Sequence, residues 1–182
     1  MKFWDAVAAS VKKLRSPEFI KRITEEDATM IKHIPQLTVI NKLGFITTES
    51  QAGRKTTGKD YVIQERAYII GFMLENVAKQ FIQYIAMNTD KVAFVVPKCA
   101  VDTPTSLDIP LTVQSIGRDR IPRVHTHMST SMPGEVQEML RKEVKINASE
   151  KIVMVFCFDP IWNRVVSGKK GLFTEVAEAL QY

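Results

Sequence analysis

From Phe3 to Leu14 apolar residues recur every three or four positions, at Phe3, Trp4, Val7, Ala8, Val11 and Leu14. That period makes one face of a helix, and Lys12, Lys13 and Arg15 fall at its C-terminal end, where the helix dipole favours cations. Residues 1–16 are therefore predicted to form a peripheral amphipathic helix. Thr24, followed by Glu25, Glu26 and Asp27, carries the hydroxyl and early acids of a second helix start. Pro35 limits that helix, which either ends near Lys32 or restarts with Pro35 in its first turn. Ile34, Leu37 and Ile40 then share one side, and Gly44 is placed to end the helix in a left-handed conformation.

The period now shortens. FITTES, residues 45–50, is rich in β-formers, and the polar run QAGRKTTGKD reads as a loop. YVIQERAYIIGFM is predicted as a second strand, paired with the first in an antiparallel hairpin with a long loop. Such pairing would set Gln64, Arg66 and Tyr68 on one face and Glu65 and Ala67 on the other. LENVAKQFIQYIAMN is the cleanest amphipathic helix. KVAFVVP is a buried strand, and residues 98–110, interrupted by Pro104 and Pro110, read as an irregular excursion. LTVQSIG is a further strand, and RVHTHMST is a strand or an irregular segment. A helix opens at Pro133 and Gly134, KIVMVFCF is a buried strand, and LFTEVAEALQY closes the sequence as a helix.

Helices and strands interleave, but the early hairpin argues against a purely parallel sheet. The expected fold is α+β, a mixed or antiparallel sheet with helices packed on it, in a single layered domain over residues 1–182. With 182 residues, 45% of them apolar, a sizeable core needs no metal or disulfide staple. No apolar run approaches the roughly 20 residues that span a bilayer, so no transmembrane segment is expected. The N-terminus lacks the features of a secretory signal, and Cys99 and Cys157 sit in or beside apolar runs that suit reduced thiols. A cytoplasmic location follows, the host cell or the virion if the gene is viral.

The net charge of +5, with a pI near 9.2, changes this picture little. It would help approach to an anionic partner, nucleic acid included, but the cations are scattered and no aromatic-interleaved basic block occurs. His125 and His127 form an H-x-H pair, the beginning of a metal site if a third ligand is supplied. His127-Met128-Ser129 also matches one half of a two-histidine phosphodiesterase, but the second copy is missing, because His33 is followed by Ile34 and Pro35. No nucleophile elbow, Walker loop or dinucleotide fingerprint occurs, so the catalytic residues and any cofactor stay unknown.

The run IPQLTVINKLGFITTESQAG followed by QERAYIIGFM resembles a family of small uncharacterised proteins, a domain of unknown function. Trp4, Pro35, Asn41, Gly44, Phe45, Thr47, Thr48, Ser50, Gln51, Gly53, Arg66, Ala67, Tyr68, Gly71 and Phe72 carry the match, over residues 4–73. Ala52 stands where a proline is usual. The resemblance implies a fold unit and no mechanism.

Three readings of function follow. The first is a binding domain for a small molecule of the anion or nucleotide type. Its site is Ser50 and Gln51 at a strand end, facing Gln64 and Arg66, with Arg54 and Lys55 from the loop. The plainer account of the same residues has Ser50 and Gln51 bonding their own loop while Arg66 pairs with Glu49. The second is a viral or phage structural or assembly protein that meets protein partners through helix 1 and the C-terminal helix. The third is a metal-dependent hydrolase using His125 and His127.

Overall fold

The computed structural model describes residues 1–100, 107–117, 121–164, 166 and 168–182. The chain is α+β, with its helices packed on antiparallel sheets. One four-stranded sheet has the order β1 (Ile46–Gln51), β4 (Tyr68–Leu74), β10 (Ile152–Phe158), β5 (Val92–Val95). The other has the order β2 (Lys55–Thr57), β3 (Tyr61–Glu65), β7 (Asp108–Ile116), β8 (Pro122–Ser129). A short parallel pair joins β6 (Lys98–Cys99) to β9 (Met132–Pro133).

β4 and β10 are nearly continuous apolar runs because both faces of their sheet are covered. On one face Ile69, Met73, Val155 and Cys157 pack with α3 (Ile34–Lys42), α4 (Glu75–Asn88) and α6 (Leu172–Ala179). On the other, Ile70, Phe72, Met154 and Phe156 pack with α1 (Phe3–Leu14) and with Leu140 of α5 (Gly134–Glu143). Each such large side chain contributes about 1.5–3 kcal/mol on burial. The apolar side of α1 is divided between the two: Phe3, Ala6 and Val7 enter the second core and Leu14 the first. α1 therefore lies across the edge of the sheet at β1, while Trp4 stays 56% exposed.

Several elements differ from expectation for identifiable reasons. The second helix, α2, runs Pro17–Asp27 and does not begin at Thr24. Ser16 caps it by accepting from the Phe19 N–H, and Pro17 takes the first turn, where its missing donor costs nothing. Thr24 sits mid-helix and its hydroxyl donates back to the Ile20 carbonyl. A 3-10 segment, Ala28–His33, leads into α3, which carries Pro35 in its first turn and is followed by Gly44 at φ +98°, as expected.

The expected hairpin forms, but it is folded across two sheets. β1 pairs with β4 in one, and β2, inside the predicted loop, pairs with β3 in the other. The predicted strand 61–73 breaks at Arg66 and Ala67: the Arg66 N–H donates to Leu111 of β7, while the Ala67 carbonyl accepts from Asp159 just after β10. Each end of the strand is thus claimed by a different sheet. The excursion 98–110 contains β6 and the start of β7, where Pro110 is accommodated beside a bulge. RVHTHMST is the strand alternative, within β8.

Candidate functional site

The six residues singled out by sequence do not converge. The Arg66 guanidinium lies 4.2 Å from the Trp162 ring centre and 5.8 Å from that of Phe158, and it donates to the Pro110 carbonyl at 3.1 Å. Burial lowers its pKa, partly offset by Asp159. It does not pair with Glu49, whose carboxylate accepts from the Tyr68 hydroxyl. Arg54 is held by Glu65 at 2.5 Å and by Asp27 at 3.2 Å, so its charge is already balanced. Burial works against that charge, but the bond to Glu65 and the two carboxylates raise its pKa overall. Lys55 and Gln64 face each other across β2 and β3. Gln51 closes β1 opposite Tyr68. Gly53, at the corner, approaches the Arg164 carbonyl so closely that an added Cβ would lie 2.5 Å from it.

Ser50 alone of the six lines a cleft of about 390 Å3, within the size range of small-molecule sites, about 300–1,000 Å3. Its floor is apolar, made by Leu14, Phe19, Ile23, Met30, Ile34 and Leu37. One wall is β1, through Thr47, Thr48, Glu49 and Ser50, and the facing wall is α1, through Ala6, Ala9, Ser10 and Lys13. α2 and the segment Glu143–Lys145 complete the lining. Asn41 fixes the spacing of the walls. Its Oδ1 accepts from Ser10 at 2.7 Å and from the Thr47 N–H at 3.1 Å, and its amide donates to the Leu37 carbonyl and the Thr47 hydroxyl. Among the described lining residues Lys13, Arg22 and Lys145 are balanced by Glu26, Glu49 and Glu143. The rim is charged but carries no excess for an anion.

A second polar cluster is closed. Lys91, fully buried, contacts Asp90, lies 2.9 Å from Glu175 and 3.3 Å from Asp159. Burial opposes its charge, yet the hydrogen bonds it donates to Asp90 and Glu175 raise its pKa overall. Arg164 bridges Asp90 at 2.7 Å and Asp159 at 3.3 Å. Hydrogen bonds from Lys91 and Arg164 hold Asp90 down at about 2. Cys157 behind them is buried, and that burial pushes its thiol pKa up, so it is no nucleophile.

His125 and His127 are exposed on β8. His125 falls where β8 carries an extra residue against β7, and His127 lies 3.7 Å from Asp108. Among the described residues no group of three or more histidine, cysteine or acidic side chains is arranged to hold a metal. Nor, among them, is any helix long and apolar enough to cross a membrane.

Sequence reasoning missed the part of the cleft that α2 supplies, Phe19 and Ile23 of the floor together with Arg22 and Glu26. Phe19 and Ile23, four apart after Ser16-Pro17, are the signal that could have found that helix and its apolar face. A comparison with curated proteins gives no match. A family model described as "Domain of unknown function (DUF6919)" matches residues 15–182, well beyond the stretch that carried the resemblance. The chain belongs to that family of domains of unknown function.

Proposed function

We propose that the domain is a binding module, and that its ligand is a small molecule with an apolar body and a polar group, held in the cleft between α1, α2 and β1. The observation that carries this reading is the pairing of a continuous apolar floor with a wall of strand hydroxyls in one cavity of about 390 Å3. The balanced rim favours an amphipathic ligand over a simple anion, and of the three cations in the anion and nucleotide reading Arg54 and Arg66 are engaged elsewhere and Lys55 does not line the cleft. An assembly role through helix 1 has less support, because most of the apolar side of α1 is used inside the molecule.

Titration with 1-anilinonaphthalene-8-sulfonate, an apolar fluorophore with a charged head, tests the proposal. Saturable binding to the folded protein is expected, weakened at least tenfold by Ala9→Trp, which fills the cleft from an exposed helix position. Unchanged binding in a folded Ala9→Trp variant would place the dye elsewhere and overturn the proposal.

A further inference from the structure

β1 is the end strand of its sheet, bonded to β4 on one side only. On the other side the Thr47 N–H is taken by Asn41. From Thr48 to Gln51, among the described residues, no other element supplies a backbone partner. A strand edge in this state is a template for another chain, and proteins usually cover or disrupt it. Here α1 crosses the edge near Ile46 and Thr47 and leaves Thr48, Glu49 and Ser50 facing the cleft.

The lining of the cleft gives the second, independent observation. Side chains alternate along a strand, so a cavity lying over one face of a sheet meets every second residue. This cleft meets Glu49 and Ser50, successive residues in regular register beyond the bulge, as well as Thr47 and Thr48 before it. Its other lining residues come from both sides of the sheet: Met30 and Leu37 belong to one core, Ala6 and Val144 to the other. The cavity therefore wraps the edge of β1, and the bulge between Thr47 and Glu49 turns that edge toward it.

We infer that the ligand of this cleft is an extended peptide segment that adds as a further strand to the free edge of β1, in the groove between that strand and helices α1 and α2. The inference rests on the cleft reading above and narrows its ligand class. Strand addition takes affinity from main-chain hydrogen bonds and specificity from pockets for alternate side chains. The open edge, Thr48 to Gln51, is about 13 Å long at about 3.3 Å per residue, and so engages about four residues of the partner. One alternate set of its side chains faces the floor of Leu14, Phe19, Ile23 and Met30, which selects apolar residues at those positions. A second copy of this chain offering its own β1 is a poorer occupant, because α1 sits over the beginning of that strand in each copy.

The test selects binders from a phage-displayed random heptapeptide library on the full chain, then synthesises them with single backbone N-methyl groups. Methylation removes one N–H and leaves the side chain in place. Expected are amide shifts at residues 48–51, and a loss of at least tenfold for methylation at alternate residues with less than threefold at those between. Peptides that occupy the cleft but tolerate methylation throughout would overturn strand addition while leaving an amphipathic ligand in place. A library yielding no cleft binder, with the naphthalene dye still bound there, has the same meaning. If neither peptide nor dye binds the cleft, both readings fail together.

Discussion

Arg66 lies over Trp162, its guanidinium carbon 4.2 Å from the ring centre, while one of its nitrogens donates to the Pro110 carbonyl. The side chain thereby joins the corner between β3 and β4 to the neighbouring β7 and to the segment after β10. A cation over an indole is worth about 0.5–2 kcal/mol and the hydrogen bond about 1 kcal/mol more. Arg66→Ala should lower stability by about 1–3 kcal/mol in urea unfolding and leave dye binding in the cleft unchanged. Arg66→Lys should recover little, because an ammonium lacks the planar fork that stacks and donates at once.

Lys91 is enclosed with three carboxylates around it. Removing one partner from a buried ionic cluster leaves uncompensated charge and typically costs about 3–5 kcal/mol. Lys91→Met should show a loss of that order by urea unfolding. Adding Glu175→Gln to the same protein should restore part of it, since Glu175 pairs with Lys91 and is the carboxylate left without its cation, whereas Asp159 keeps Arg164.

The strands and helices at the centre of the core were legible, because Ile69, Met73, Val155 and Phe81 signal burial by composition and period, whereas KVAFVVP, expected as a buried strand, holds the edge strand β5 with Val92 and Val95 exposed. It also placed Gly44 at the end of α3 and the hairpin after it. The sheet switch at Arg66 and Ala67 was not legible. Alternation continues through YVIQERAYII, and nothing local says that the Arg66 N–H will bond Leu111 while the Ala67 carbonyl bonds Asp159. That one switch moved Arg66 from the expected Ser50 corner to Trp162. Of the candidate site Ser50 lines the cleft, while Phe19 and Ile23 of its floor come from α2, which starts at Ser16-Pro17 and not at Thr24.

Asn41 spans α1, α3 and β1 through its single amide. Asn41→Ala should cost about 2–3 kcal/mol, from several hydrogen bonds at about 0.5–1.5 kcal/mol each. The Thr47 amide, losing its acceptor, should exchange with solvent faster than its neighbours in β1. Equal exchange rates in the variant and the parent would contradict the role given to this residue.

Among the described residues, His33 and Asp90 make stability depend on acid. Burial lowers the His33 pKa below its ordinary 6.5, so the fold favours neutral imidazole. Its contribution is present above pH 6.5 and is lost as pH falls through the depressed value. Asp90, held at about 2 against an ordinary 3.8, contributes above pH 3.8 and loses that contribution as pH falls toward 2. The urea midpoint should therefore decline first below pH 6.5 and again below about pH 4. His33→Gln should remove the first decline. Asp90→Asn should flatten the second by no more than about 1 kcal/mol, because its carboxylate is half-exposed and solvent screens the pair.

The cleft between α1, α2 and β1 is tested most directly by an amide NMR titration of the folded chain with 1-anilinonaphthalene-8-sulfonate. The account predicts saturable shifts concentrated at Ala9 and Ser10, at Phe19 to Ile23, at Thr47 to Ser50 and at Glu143 to Lys145, the residues that enclose the cavity. Shifts centred instead on the β8 edge around His125 or on Trp162, with residues 47–50 unmoved, would contradict it.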